Sequence, residues 1–171
     1  MRFWNYEIVN GYRSHTPKGF YDKVRGHLGI DAGCPVNTEL SVPWETTCVC
    51  TRKQNEMGNC IYLQDFDGNI AVFAHLKEFK VQKGEIVRPN AVFGLSGNTG
   101  GKTTAPHCHF EVIAKTPEKG GQDMYRKELS PYLGYNIDPV KYWQSMSRAS
   151  AFQRMTSALR RIYARIHRNL N

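Results

Sequence analysis

Three short segments place histidine and aspartate side chains at spacings that suit metal chemistry. Residues 26–31 read Gly-His-Leu-Gly-Ile-Asp, residues 73–76 read Phe-Ala-His-Leu, and residues 106–112 read Pro-His-Cys-His-Phe-Glu-Val. Four of the six histidines of the chain fall within them. This composition is typical of a catalytic zinc site, in which nitrogen and oxygen ligands leave one position open for water and further histidines transfer protons.

The pair His107 and His109 is expected on a strand. Pro106 cannot continue a helix, and the Phe-Glu-Val-Ile sequence that follows favours a strand. Residues two apart on a strand point to the same face, so both imidazoles should enter one cavity while Cys108 faces away. One histidine can then bind a metal while the other reaches a substrate beside it. Because an isolated His-x-His pair is often an ordinary core or surface pair, this interpretation depends on the other two segments.

His27 and Asp31 are four residues apart, a spacing that would put them on one face of a helix. The glycines Gly26 and Gly29 instead favour a loop that leads into a strand. A bent or extended chain of this length can still bring an imidazole and a carboxylate to one ion. The alternative is that Asp31 caps a turn and His27 is incidental, and the two other segments weigh against it.

Taken in order, these segments resemble the lysostaphin/LytM-type zinc metallopeptidases, which cut peptide bonds in bacterial peptidoglycan. The similarity extends from about residue 10 to residue 143. The matching segments are His-x-x-x-Asp at 27–31, Ala-His-Leu at 74–76, Val-Gln-Lys-Gly at 81–84, the glycine-rich loop at 94–100, Pro-His-Cys-His-Phe-Glu at 106–111 and Asp-Pro at 138–139.

The resemblance implies that His27, Asp31 and His109 bind one Zn²⁺ ion, and that His107 and His75 are the catalytic residues. Zinc lowers the pKa of its water from about 15.7 to about 7. One histidine can take the proton of that water and return it to the leaving amine, and the other histidine or the metal can stabilise the oxyanion. The chain has no His-Glu-x-x-His, so a helix glutamate is not indicated as the base.

The resemblance also implies a tyrosine near the metal, contributed by the chain before His27. Tyr21 is favoured because it is nearer to His27, and Tyr12 is the other candidate for a substrate or transition-state contact; ordinary packing is the alternative for both. In latent relatives an upstream asparagine fills the open metal position, and Asn10 and Asn5 align loosely with it. Cys108 departs from the family, which usually has an aliphatic residue there.

The predicted fold is mainly β: a compact, largely antiparallel β-sheet peptidase domain with an active-site groove, plus a C-terminal α-helix. Strands are expected at 49–51, 60–64, 70–76, 91–95 and 109–114, with a hairpin turn at 65–69. Asp138 and Pro139 are suited to begin a helix. The chain of 171 residues is long enough for one such domain, assigned to 1–146, followed by a helical tail at 147–171.

The tail carries six of the eight net positive charges, because six arginines and no acidic residue follow Ser147. Apolar residues recur every three or four positions and predict an amphipathic helix with a basic face: Phe152, Met155, Leu159, Ile162 and Ile166. The helix could pack on its own domain, contact a protein partner, or dock on anionic envelope polymers or lipid. Specific nucleic-acid binding is not indicated, since the basic excess is confined to this segment.

The sequence leaves open whether the five cysteines include a disulfide or are all free thiols. Cys48 and Cys50 lack the spacing of a zinc ribbon. Either of them could form a disulfide with Cys60 in an oxidising compartment, or all remain buried thiols.

The expected activity is hydrolysis of peptidoglycan cross-links, of the D-alanine–diaminopimelate type rather than polyglycine, since no cell-wall-binding domain is apparent. The alternative is a non-catalytic LytM-like activating or binding module, or a structural component. The substrate lies in the periplasm, cell envelope or extracellular space, yet the amino terminus lacks an apolar signal region. Either a signal segment is missing from this sequence, or another route delivers the protein. A phage lysin or a virion-associated hydrolase would provide such a route.

Overall fold

The computed structural model describes residues 2–14, 26–115 and 134–152. A helix, α1, occupies 139–152. The strands are β1 (Arg2–Phe3), β2 (Tyr6–Asn10), β3 (Gly29–Ala32), β4 (Glu39–Ser41), β5 (Thr46–Gln54), β6 (Gly58–Gln64), β7 (Ile70–Leu76), β8 (Glu78–Phe79), β9 (Ile86–Val87), β10 (Val92–Leu95), β11 (Cys108–Ala114) and β12 (Tyr135–Ile137). The predicted mainly β architecture with a C-terminal helix is confirmed.

The main sheet has nine strands in the order β1-β2-β3-β11-β7-β6-β5-β9, and β12 lies beside the second half of β11. All of its pairings are antiparallel. Strands β4, β10 and β8 form a smaller sheet. Because β3 and β7 both flank β11, the three histidine-bearing segments of the sequence come together on neighbouring strands.

Side chains of β11 alternate between the two faces of the main sheet, and one of these faces packs against the main hydrophobic core. Cys108 and Phe110 are fully buried in the main hydrophobic core, where the ring of Phe110 stacks on that of Phe73 at 4.8 Å. His109 lies between them in sequence and therefore faces the opposite side. The prediction that Cys108 turns away from the histidine pair is confirmed, because burial of alternate apolar residues fixes which face of the strand meets the core.

A β-bulge interrupts the alternation of β7. Two of its residues, Ala74 and His75, lie opposite a single residue of β6. His75 has a φ of 61°, in the left-handed region that a non-glycine residue seldom adopts. Leu76 consequently packs in the main core with Phe73. His75 is turned toward the face that carries His109, where regular alternation would have pointed it into the core.

Helix α1 begins as predicted. The side chain of Asp138 accepts a hydrogen bond from the backbone N–H of Val140 at 2.9 Å, which satisfies one of the free donors at the helix start. Pro139 occupies the first helical position, where its missing N–H has no cost.

The described part of α1 is docked on the domain. Tyr142 and Met146 are buried in the main core. The hydroxyl of Tyr142 donates to Oδ2 of Asp65 at 2.8 Å, and Ser150 Oγ donates to the carbonyl of Pro43 at 2.6 Å. Helix α1 thus continues through the expected boundary between 146 and 147. The greater part of the predicted tail, 153–171, lies outside the described residues.

The cysteines are free thiols. Cys48 packs in the main core, whereas Cys60 belongs to a second cluster on the other face, against which Cys50 packs. This arrangement excludes the bridge between Cys48 and Cys60 that the sequence left open. Among the described residues, no helix has the length and apolar character needed to cross a membrane.

Candidate metal centre and active site

His27, Asp31 and His109 converge on one point. Asp31 on β3 is directly opposite His109 on β11 in the antiparallel register, and His27 lies just before β3. His109 Nδ1 is 2.9 Å from Asp31 Oδ1 and 3.0 Å from His27 Nε2, and His27 Nε2 is 3.3 Å from Asp31 Oδ1. All three side chains are buried. The sequence-predicted ligand set is therefore brought together in space.

The spacing of these three atoms fits a single metal ion. Nitrogen and oxygen ligands at about 2.0–2.1 Å from a tetrahedral centre lie about 3.3 Å from one another. The observed separations of 2.9–3.3 Å come within a few tenths of an ångström of that value. Two imidazoles and one carboxylate are also the ligand types found in catalytic zinc sites. The residues present can hold a metal ion such as Zn²⁺.

The outward-facing atoms of His27 and Asp31 are held by the chain before them. The Nδ1–H of His27 donates to the carbonyl of Gly11 at 3.2 Å, which leaves Nε2 facing the ligand cluster. Asn10 Nδ2 donates to Oδ2 of Asp31 at 2.9 Å, which leaves Oδ1 for a metal. Such outer partners orient metal ligands. The sequence associated Asn10 with the open metal position, whereas its side chain contacts Asp31.

The ring of His109 is enclosed on two sides. Its Nε2 faces Oε2 of Glu111 at 3.4 Å. Its other neighbour is Gly29: a Cβ atom there would lie 2.7 Å from Cε1 and 2.8 Å from Nε2 of the ring, and 2.5 Å from the carbonyl oxygen of Phe110. Sequence reasoning did not assign Glu111 or Gly29 to the site. Glu111 could have been found from sequence, because a residue two positions after His109 on a strand points to the same face.

The other two histidines of the three sequence segments, His75 and His107, lie beside the ligand cluster. His107 Nε2 is 3.6 Å from Asp31 Oδ1, and the rings of His107 and His75 are 4.6 Å apart. The Nδ1 of His107 is 2.8 Å from the carbonyl of Ala105, and that of His75 is 2.7 Å from the carbonyl of Thr99. Because a carbonyl can only accept, Nδ1 carries the proton in each ring. Both residues then offer Nε2 as a proton acceptor.

The unusual backbone of His75 is held by its surroundings. The backbone N–H of His75 donates to the carbonyl of Met57 in the β5–β6 turn. Thr99 Oγ1 donates to the carbonyl of Leu76 and accepts from the N–H of Asn59. The loop that supplies Thr99 is thus docked on β6 and β7 at the bulge. A left-handed residue persists where neighbouring contacts over-determine it.

The electrostatics of the cluster follow from burial and mutual hydrogen bonding. Burial alone would raise the pKa of Asp31, but hydrogen bonds from His109 and His27 outweigh it and hold that pKa well below its usual range. Burial would lower the pKa of His109, but bonds to Asp31 and Glu111 raise it to about 10. Burial, with the nearby charge of His109, lowers the pKa of His75 to about 4. His75 is therefore neutral at neutral pH.

The two tyrosine candidates have different outcomes. Tyr12 packs against the main core, and its hydroxyl donates to the carbonyl of Asn136 at 3.1 Å. Tyr21 lies outside the described residues. A contact of either tyrosine with substrate remains a prediction.

Known proteins share this arrangement of segments. The family model described as Peptidase family M23 matches residues 25–122. The peptidoglycan DD-endopeptidase ShyA of Vibrio cholerae is 33% identical over 93 residues, which cover 54% of this chain and 21% of that protein. The catalytic domain of the antimicrobial peptidase lysostaphin from Staphylococcus simulans aligns with a TM-score of 0.65 and 25% identity, over 82% of this chain and 93% of that one.

A zinc-containing peptidase from Vibrio cholerae aligns with a TM-score of 0.56 and 27% identity, over 63% of this chain and 33% of that one. The chain therefore corresponds to only a part of ShyA and of this peptidase.

Replacing Gly29 by alanine should weaken metal binding. The added methyl group would clash with the carbonyl oxygen of Phe110 and with the ring of His109, so we expect the affinity for Zn²⁺ to fall at least roughly tenfold, the scale on which misoriented ligands act. Competition with a chromogenic chelator measures it. Gly101→Ala is the matched control, since a Cβ there would lie at the ordinary distance of 3.4 Å from the carbonyl oxygen of Asn55. An unchanged affinity in Gly29→Ala would contradict the packing argument.

Metal affinity should rise with pH. In the metal-free protein His109 has a pKa of about 10 and holds a proton that ligation through Nδ1 must displace. Below that pKa each pH unit changes the apparent affinity about tenfold, so binding at pH 6 should be at least roughly 100-fold weaker than at pH 8. Calorimetry in buffers of different ionisation enthalpy should detect the released proton. Equal affinity at both pH values would rule out this protonation state.

Proposed function

This chain belongs to peptidase family M23, and from that membership and the site geometry we propose that it is a zinc-dependent endopeptidase. Its proposed substrates are the peptide cross-links of bacterial peptidoglycan. The observation that carries the proposal is the cluster of His27, Asp31 and His109, whose ligand atoms lie 2.9–3.3 Å apart beside two further histidines.

Each residue has a proposed role. His27, Asp31 and His109 hold Zn²⁺, which when bound supplies a Lewis acid and a water of lowered pKa. His107 accepts the proton of the attacking water at Nε2, because this atom is 3.6 Å from Asp31 and its ring is fixed through Nδ1. The same nitrogen then returns the proton to the leaving amine. His75 is the second proposed catalytic histidine. It is neutral and lies beside His107, and its Nε2 is available to accept a hydrogen bond.

The proposed scissile bond is the D-alanine–diaminopimelate cross-link rather than a polyglycine bridge. Similarity to proteins named peptidoglycan DD-endopeptidases supports this choice. The site of action would be the periplasm, the cell envelope or the extracellular space, and delivery by a phage lysin or virion remains part of the proposal. The alternative, a non-catalytic LytM-like module or structural component, is less favoured because the ligands and both catalytic histidines are present.

Purified sacculi provide the direct test. Zinc-loaded protein should release a new free amine at the cross-link, identified by mass spectrometry, and chelator should abolish it. His107→Ala should lower the rate by about 10²–10⁴-fold, the usual contribution of a general base, while retaining Zn²⁺. Lys83→Ala, at an exposed position in the β8–β9 turn, is the control. No cleavage of sacculi with either cross-link type would favour the non-catalytic module.

We further propose that the basic segment 147–171 contacts anionic polymers or lipid of the envelope. Its six arginines occur without an acidic residue, which supports electrostatic attraction. A protein partner is the alternative occupant. The buried contact of Ser150 with Pro43 belongs to the domain, so a deletion that tests the tail should begin after residue 152.

Deletion of 153–171 should leave hydrolysis of a soluble cross-linked peptide within about twofold, because it removes no residue of the ligand cluster or of the described core. Binding to purified envelopes should fall and lose its salt dependence. The matched control is the full chain with glutamine at five arginine positions: Arg154, Arg160, Arg161, Arg165 and Arg168. Equal loss of hydrolysis and binding would show that the segment supports the domain instead.

A further inference from the structure

We propose that Glu111 is a positioning residue, whose carboxylate holds the imidazole of His109 by its Nε2 so that Nδ1 is presented to the metal. The inference rests on the proposed metal function of the site. It concerns a side chain two residues beyond the metal ligand, on the same strand and the same face.

The geometry of His109 defines the role. A histidine that binds a metal through Nδ1 has its proton on Nε2, and that N–H needs an acceptor when the ring is buried. Nδ1 faces Asp31 and His27 at 2.9 Å and 3.0 Å, while Nε2 faces Oε2 of Glu111 at 3.4 Å. The carboxylate therefore stands where it can accept from the proton on the non-ligating nitrogen, an arrangement common at metal centres.

The absence of a side chain at residue 29 lets the His109 ring reach this acceptor. Gly29 is paired with Glu111 across β3 and β11, and the edge of the His109 ring that contains Cε1 and Nε2 lies over it. A Cβ atom at residue 29 would lie 2.7 Å from Cε1 and 2.8 Å from Nε2, so glycine makes room for this edge of the ring. The hydrogen bond from Nε2 to Glu111 then holds the ring in that place.

Burial gives the interaction its strength. Glu111 is 2% exposed and His109 is 7% exposed. A buried carboxylate is costly unless it is paired and hydrogen-bonded, and the imidazole N–H of His109 provides such a partner. The other two metal ligands are held on their outer side by neutral groups, the carbonyl of Gly11 and the amide of Asn10. Glu111 instead provides a carboxylate oxygen, which can accept the proton of the non-ligating nitrogen of His109.

Two substitutions separate orientation from other effects. Glu111→Ala removes the acceptor, and the affinity for Zn²⁺, measured by chelator competition at fixed pH, should fall about 10–100-fold. Glu111→Gln keeps an oxygen that accepts from Nε2–H, so most of the affinity should return. Ile113→Val is the matched control, because it alters a buried side chain on the same face of β11 without removing a contact to His109. This control should bind Zn²⁺ as the wild type does.

Nitrogen-15 spectra of the zinc-loaded protein, labelled at histidine, supply the second readout. The wild type and Glu111→Gln should show His109 bound through Nδ1 with a protected Nε2–H, and Glu111→Ala should lose that protected proton. If Glu111→Ala does not fold, the spectrum and affinity of Glu111→Gln against the wild type carry the test.

Three results would overturn the proposed hydrogen bond between Glu111 and His109. A wild-type affinity in Glu111→Ala, or an affinity of Glu111→Gln as low as that of Glu111→Ala, would overturn the proposed hydrogen-bonding role. An unprotected His109 Nε2–H in the wild type would overturn it as well. Failure of the wild-type protein itself to bind Zn²⁺ would refute the proposed function, and is thereby distinguished from failure of the inference about Glu111.

Discussion

The site depends on the antiparallel register between β3 and β11. That register sets Asp31 directly opposite His109, on the face of the sheet that the main core does not occupy. A slip of one residue would turn every side chain of β11 to the other face and carry His109 into the core. The buried residues Cys108 and Phe110 oppose such a slip, because their own burial requires the observed face. Packing of Cys108 and Phe110 on one side of the sheet thus fixes the position of His109 on the other side.

Backbone carbonyls fix the orientation of histidine rings at the site. Those of Gly11, Thr99 and Ala105 each accept from a histidine Nδ1, and each belongs to a loop outside the regular strands. A carbonyl has no alternative protonation state, so it selects one tautomer of the ring that it contacts. The loops therefore define which nitrogen of each histidine faces the centre. Among the four described histidines, His109 differs, with Nδ1 inward and a carboxylate on its outer side.

The convergence of His107, just before β11, with His109 on it could be predicted from sequence, because strand alternation needs only neighbouring residues. The place of His75 could not be predicted in the same way. Its orientation arises from a bulge whose left-handed residue is a histidine rather than the glycine that would have signalled it. The place of Gly29 was missed because it depends on a contact across paired strands. Glu111 lies two residues after His109 on the same strand, so the alternation that predicted the histidine pair could have indicated it. Asn10 was noticed, but the bulged pairing of β2 with β3 gives it Asp31 as a partner.

The bulge at His75 has a consequence for which amino acids the position can tolerate. Its φ of 61° suits glycine better than histidine, and it strongly disfavours β-branched residues. The substitutions most comfortable for the backbone would therefore discard the imidazole that the bulge turns toward the site. Glycine at this position would therefore relieve the backbone at the expense of a proposed catalytic group, a trade between stability and activity within one residue.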